Sequence, residues 1–189
     1  MARLKRETQA LHEATEARMP VLDPALDRAA YARLLAQMYA LVAPLETRLL
    51  ALELPASLAL EDRLKTPALR HDLAALGAAV PTERADWLPG DVAEGLGTLY
   101  VLEGGTLGGQ LIARHLGPRL GLDAGAGLAY FSGYGPQTGP MWKRFGEAMT
   151  REVAPEQGTA VVEGARQTFR AFGRALDTAG RPAAALFGE

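Results

Sequence analysis

Apolar residues recur at intervals of three and four along most of the chain, which is the spacing of one buried helical face. The longest such run predicts a helix from Tyr31 to Leu52. Its apolar positions are Tyr31, Leu34, Leu35, Met38, Val42, Leu45, Leu49 and Leu52. A second helix is predicted to begin at Thr66 and Pro67 and to end near Gly77, because proline favours the first turn and glycine the end.

The last third of the chain predicts two more helices. One carries Trp142, Phe145 and Met149 on its apolar face. The other is opened by Pro155, and its single apolar face holds Val162, Ala165, Phe169, Phe172 and Leu176. No segment alternates as a strand does, and no internal repeat occurs. The predicted fold class is therefore all-α, a multi-helix bundle of six or seven helices that forms a single domain over residues 1–189.

The central helix has clear end signals. Asp91 can cap its N-terminus with Glu94 three residues later, and Gly117 with Pro118 supplies a stop signal. The residues that follow, 121–140, are rich in glycine and carry three aromatic side chains. This composition predicts a long ordered loop.

Four glycines interrupt the central helix: Gly104, Gly105, Gly108 and Gly109. Each glycine costs roughly 1 kcal/mol against alanine inside a helix, so the four together forfeit on the order of 4 kcal/mol. Their i,i+4 spacing clears side chains from one surface over more than a turn. Either a flat ligand or a closely packed helix can occupy that surface, and the glycines alone leave both interpretations open.

Composition excludes several classes of function. The chain has 189 residues, a net charge of −2 and no cysteine. It therefore has no disulfide, no thiolate metal site and no cysteine nucleophile, and it lacks the basic stripe that nucleic-acid binding requires. No signal peptide and no run of eighteen apolar residues are present, so we expect a cytoplasmic protein that does not enter a membrane.

Three histidines could carry chemistry. His12 lies on the first predicted helix with Thr8 four residues before it and Glu16 four after, so the three side chains share one face. Glu16 could orient the imidazole as a metal ligand, although a solvated histidine with a nearby carboxylate has the same pattern. His71 and His115 have no such cluster around them, and we interpret both as structural.

Two segments together resemble the haem oxygenase family. They are LKRETQALHEATE at Leu4–Glu16 and YVLEGGTLGGQ at Tyr100–Gln110. The chain is most similar to the soluble bacterial type that supplies biliverdin to bacteriophytochromes, and a weaker match extends over most of its length. The resemblance implies a haem-oxygenase-like bundle with haem held between the first helix and the central helix.

The resemblance assigns roles residue by residue. It makes His12 the proximal iron ligand, with Thr8 and Glu16 beside it and Lys5 near a haem propionate. The distal helix of the family corresponds to Gly104, Gly105, Gly108 and Gly109, of which the first three are expected to act in catalysis. The remaining expected haem contacts are Phe169, which would line the pocket, and Lys143 or Arg144 at a second propionate.

The resemblance also implies a reaction. Haem would be both prosthetic group and substrate, with dioxygen as co-substrate, and the products would be biliverdin, carbon monoxide and ferrous iron. The chain has no Rossmann fingerprint. Electrons are therefore expected from an external donor such as a ferredoxin or a flavoprotein reductase, and a bacteriophytochrome is an expected recipient of the biliverdin.

One residue departs from the animal members of the family. They place an aspartate directly after the first distal glycine, where this chain has Gly105. Bacterial relatives also lack that acid, so turnover remains the expectation, with proton delivery through ordered water, backbone carbonyls or another polar side chain. The departure keeps open a haem-binding carrier or sensor without turnover. A purely structural bundle is the third interpretation.

Overall fold

The computed structural model describes residues 1–179, and seven α-helices account for most of these residues. In chain order they are α1 (Ala2–Glu16), α2 (Arg28–Ala51), α3 (Thr66–Ala75), α4 (Val92–Leu120), α5 (Ala129–Ser132), α6 (Thr138–Glu152) and α7 (Gly158–Ala179). Across this part of the chain no β-strand is formed, and the prediction of an all-α fold is confirmed.

Helices α2 and α3 follow the sequence signals closely. Helix α2 starts three residues before the predicted Tyr31, because the side chain of Asp27 accepts a hydrogen bond of 2.7 Å from the backbone N–H of Ala30. Such a cap satisfies a donor that the helix itself cannot satisfy. Helix α3 starts at Thr66, and the chain leaves it at Gly77 with φ of +65°.

The N-terminus of α4 is capped as predicted, but the predicted end of the helix is wrong. Asp91 accepts from the N–H of Glu94 at 2.9 Å. The helix continues past Gly117 and ends at Gly121, which has φ of +62°. The N–H of Leu122 then donates to the carbonyl of Gly117 at 3.0 Å. Gly117 thus accepts the closing bond of a Schellman motif, and Gly121 takes its left-handed position.

The segment 121–140 is more regular than the loop predicted from its composition. It contains α5 and the first residues of α6. The carboxylate of Asp72 on α3 accepts from the N–H groups of Ala129 and Tyr130, both at 2.8 Å, and so caps α5. Because this cap comes from a residue more than fifty positions away, the residues of α5 and their neighbours do not predict the helix.

Helix α7 supports both α1 and α4. It crosses α4 at Gly97 and Gly164, where the two backbones meet with no side chain between them. A Cβ built on Gly97 would lie 2.0 Å from the carbonyl oxygen of Val161, and one on Gly164 would lie 2.2 Å from that of Glu94. Helix α1 packs elsewhere on α7. Because α1 and α4 pack on different parts of α7, a space remains between the three helices.

Candidate active site

A cavity of about 710 Å³ occupies the space between α1, α4 and α7. Its volume is in the range of sites that bind small molecules and cofactors. Helix α1 contributes one wall, and the glycine stretch of α4 contributes another. Phe169 and Phe172 of α7 and Trp142 of α6 also line it. The two segments that carry the family resemblance therefore meet at one cavity.

On the α1 wall, Thr8, His12 and Glu16 all line the cavity. The Nε2 atom of His12 lies 3.5 Å from a carboxylate oxygen of Glu16, and the imidazole side chain remains 53% exposed. Thr8 is buried, and its hydroxyl donates to the carbonyl of Leu4 at 2.8 Å. The imidazole is thus accessible from the cavity, with a carboxylate able to polarise it.

Thr8 also connects α1 to α4 through Tyr100. Burial raises the pKa of Tyr100, and a hydrogen bond with the hydroxyl of Thr8 offsets part of that increase. The ring centroids of Tyr100 and Trp142 lie 5.9 Å apart. This contact joins α4 to α6 at the edge of the cavity.

The four glycines of α4 divide into two kinds. A Cβ added to Gly105 or Gly108 would meet no atom of residues 1–179 within 4 Å, and one on Gly104 would lie 3.8 Å from the ring of Trp142. At Gly109 a Cβ would lie 2.8 Å from the carbonyl oxygen of Phe131. Gly109 is therefore required for the packing of α5, whereas Gly105 and Gly108 leave bare backbone facing open space.

The same wall carries two partly exposed apolar side chains. Leu107 is 41% exposed and Leu111 is 67% exposed, and both line the cavity. Apolar surface that flanks bare helix backbone fits an apolar, flat ligand. An imidazole on another wall of the same cavity adds one nitrogen ligand for a metal, which is the usual protein ligand set of a haem iron. These residues therefore fit haem.

The other lysine, arginine and histidine residues considered in the sequence analysis differ in whether they line the cavity. Lys5 lines the cavity near the N-terminal end of α1. Lys143 and Arg144 do not line it: Lys143 is 80% exposed and lies 4.0 Å from Glu147, while Arg144 donates to the sulfur of Met141. His71 and His115 lie outside the cavity as well, next to the Gly125 carbonyl and Arg119 respectively.

Comparisons with known proteins identify the family. The family model described as "Heme oxygenase" matches residues 1–178. A heme oxygenase from Xanthomonas campestris pv. campestris (strain 8004) is 34% identical over 132 residues, which are 64% of this chain and 72% of the relative. The chain belongs to the haem oxygenase family. It is accordingly an enzyme that degrades haem, and neither a carrier without turnover nor a purely structural bundle is favoured.

Solved haem oxygenases share the fold. The NO- and CO-bound heme oxygenase from Neisseria meningitidis superposes with a TM-score of 0.79 at 24% identity, covering 96% of this chain and 92% of that chain. The heme oxygenase from Leptospira interrogans gives a TM-score of 0.73 at 20% identity, covering 92% and 96%. As regards membranes, none of the helices described in residues 1–179 is both long and apolar enough to span a bilayer.

Sequence reasoning missed the buried polar residues of this haem oxygenase. Lys65 lines the cavity although it is almost wholly buried, and Glu103 lies directly behind the glycines with no exposed surface. A signal for Glu103 is present: it falls four residues after Leu99 and seven after Leu96, in the apolar stripe of α4. A charge at a buried position implies a buried partner. Lys65 has no comparable signal.

Proposed function

We propose that this enzyme cleaves haem with dioxygen and external electrons to give biliverdin, carbon monoxide and ferrous iron. The observation that supports the proposal most directly is the cavity that joins an accessible imidazole, His12, to bare backbone at Gly105 and Gly108. Haem supplies the iron and the ring that is oxidised, so the protein contributes binding, orientation and control of water and protons.

His12 is proposed as the axial ligand of the iron. Its ring meets Phe169 edge to face, and a carboxylate oxygen of Glu16 lies 3.5 Å from Nε2. A carboxylate in that place orients the imidazole before haem enters. Because Glu16 is exposed, it can leave Nε2 when haem enters the cavity.

The α4 wall is proposed to set the position of the haem face and of dioxygen. Gly104, Gly105 and Gly108 present backbone without side chains, so a macrocycle can lie close to the helix there. Close approach limits the directions in which a small ligand of the iron can point, and thereby favours one edge of the ring. Gly109 lines the same cavity and allows the backbone of Phe131 to approach α4 closely.

Lys5 is proposed to bind one propionate, because it lines the cavity at its exposed end and an ammonium group suits a carboxylate. Lys143 or Arg144 at the second propionate remains a prediction from the resemblance. Both side chains are exposed on α6, the helix that brings Trp142 to the cavity wall.

Haem oxygenases need an external reductase, and we propose a ferredoxin or a flavoprotein reductase as the electron donor. The proposed subtype is the one that supplies biliverdin to a bacteriophytochrome, on the strength of the segment at Tyr100–Gln110. A cytoplasmic location stays a prediction from the sequence.

The test is a turnover assay with product analysis. Purified protein loaded with haem is given a ferredoxin, its reductase and NADPH in air, and the absorption spectrum is followed. The proposal expects loss of the Soret band, growth of biliverdin absorption, and one biliverdin isomer on chromatography. An oxygen complex that persists unchanged while electrons are supplied would contradict it and would favour a haem carrier.

A further inference from the structure

A group of buried charged side chains lies behind α4 where its glycines begin. We call it the Glu103 cluster, and its members are Glu46, Arg63, Lys65, Glu103 and Tyr134. The carboxylate of Glu103 accepts hydrogen bonds from Arg63, from the Nζ atom of Lys65 at 3.0 Å and from the hydroxyl of Tyr134 at 2.7 Å. Two acids and two bases therefore balance in charge inside the protein.

Within this cluster only Lys65 also lines the haem cavity. Its side chain is 7% exposed. The other buried lining residues include Met38, Leu102, Thr106 and Phe131, and with Lys65 they form what we call the inner wall. Lys65 is the one charged side chain of that inner wall, since the charged residues of α1 that line the cavity are exposed.

The hydrogen bonds of Lys65 leave one of its donors for the cavity. An ammonium group has three N–H donors. One donates to Glu103 and a second donates to the hydroxyl of Tyr134. Arg63, in contrast, donates to the carbonyl of Leu58, to Glu103 and to the carbonyl of Met141, and it does not line the cavity. Among the members of the Glu103 cluster, Lys65 is therefore the one that can offer a proton to a water molecule on the cavity side.

Four charged or titratable groups surround Lys65. Glu103 lies on α4 and Tyr134 follows α5, while Arg63 precedes Lys65 in the chain. Glu46 of α2 accepts from the backbone N–H of Lys65. Burial lowers the pKa of Lys65, Glu103 and Glu46 oppose that decrease, and Arg63 adds to it. A buried lysine whose pKa is lowered releases a proton more readily than an exposed one.

We propose that Lys65, held by Glu103 and Tyr134, is the positioning residue that keeps water and its protons at the inner wall of the haem cavity. It would take over the role of the distal aspartate of the animal enzymes, at whose position this chain has Gly105. The step is a proton relay in which Nζ of Lys65 gives a proton to a cavity water and that water passes one of its own protons into the reaction. A proton from solvent then restores the ammonium. The inference rests on the proposed oxygen-dependent cleavage of haem, which consumes protons.

The first experiment locates Lys65 without turnover. The chain has three lysines, Lys5, Lys65 and Lys143, so lysine labelled with ¹³C at Cε gives a simple NMR spectrum, and a Lys65→Met sample identifies the Lys65 signal. We expect that signal to titrate below the ordinary lysine range and to shift when diamagnetic gallium protoporphyrin is added. A Lys65 signal that the porphyrin leaves unchanged would overturn the proposal.

The second experiment tests the role through the pH profile of turnover. Lys65→Met keeps the length of the side chain and removes its protons, and Lys65→Arg keeps the charge. We expect Lys65→Met to bind haem within about threefold of wild type and to turn over about a hundredfold more slowly, without the alkaline decline of the wild-type profile. Lys65→Arg should recover part of the rate and move that decline to higher pH.

Two controls separate this role from a structural one. Arg48→Met removes a cation that binds the carbonyls of Pro89 and Gly90 away from the cavity, so it should lower the melting temperature and leave the pH profile unchanged. If Lys65→Met does not fold, Tyr134→Phe removes one bond to Lys65 and must shift the profile.

A wild-type rate and profile in Lys65→Met would overturn the inference. The absence of biliverdin from the wild-type protein would instead contradict the proposed function, and the NMR result would still report whether Lys65 faces the porphyrin.

Discussion

The imidazole of His12 meets the ring of Phe169 edge to face, with the centroids 5.7 Å apart and the ring planes at 88°. Phe169 is buried on α7, whereas His12 is half exposed on α1. The buried ring thus restricts one side of the imidazole and leaves the nitrogen atoms free to turn toward the cavity. The contact therefore positions the imidazole while it stays accessible to a ligand.

His12→Ala should remove the axial nitrogen while preserving the fold. We expect a shifted Soret maximum, a haem affinity at least tenfold weaker and loss of turnover, because the iron would lose its protein ligand. The free energy of unfolding of the apoprotein should change by less than about 0.5 kcal/mol, since the side chain is largely exposed. His115→Ala is the matched control, and an unchanged His12→Ala spectrum would remove the assignment.

Gly105→Ala and Gly109→Ala should have opposite effects. A methyl group at Gly105 meets no atom of residues 1–179 within 4 Å and enters the cavity. The apoprotein should therefore be as stable as wild type or slightly more stable. Haem affinity or the ratio of biliverdin isomers should change. At Gly109 the methyl group would contact the Phe131 carbonyl at 2.8 Å, which should destabilise the fold by about 1–3 kcal/mol. Thermal unfolding and isomer analysis check both. Wild-type affinity and isomer ratio in Gly105→Ala would show that Gly105 does not face the haem.

The crossing of α4 and α7 should tolerate no side chain. We expect Gly97→Ala or Gly164→Ala to destabilise the protein by about 3 kcal/mol or more, because the added carbon would lie within 2.2 Å of backbone oxygen. Gly173→Ala, at a position of α7 with nothing within 4 Å, is the control and should stabilise the helix by about 0.5–1 kcal/mol. Urea unfolding followed by circular dichroism measures all three, and equal stabilities would contradict the close crossing.

The sequence predicted those features that depend on neighbouring residues. Asp91 caps α4 because its partner, Glu94, lies three positions away, and α2 follows from its own apolar stripe. Helix α5 could not be predicted in the same way, since its cap is Asp72 on another helix. The predicted end of α4 at Gly117 and Pro118 is too early for a different reason: the helix accommodates Pro118 in its last turn, and Gly121 takes the left-handed position.

The candidate site was predictable in part. His12, Gly105 and Gly108 could be proposed because each stands out against a regular helix, as an imidazole or as a missing side chain. Lys65 could not, since a lone lysine before a helix ordinarily faces water. Its burial depends on Glu103, 38 positions later, and pairing at that distance is decided by the tertiary fold.

Burial of Lys65 should make the stability of the apoprotein depend on pH above neutrality. The pKa of Lys65 is lowered from 10.5, with burial as the largest cause, so the unfolded chain binds more protons at this site than the folded one. Stability contributed by this group therefore rises with pH between the lowered value and 10.5, by at most about 1.4 kcal/mol per pH unit for one proton.

In Lys65→Arg the side chain stays protonated, so this contribution is absent. We expect the difference in free energy of unfolding, wild type minus Lys65→Arg, to increase from pH 7 to pH 9.5 in urea titrations. The series stops there because burial raises the pKa of Tyr134, which acts in the opposite direction above pH 10. A difference that stays constant or decreases would mean that Lys65 is solvated in the folded protein.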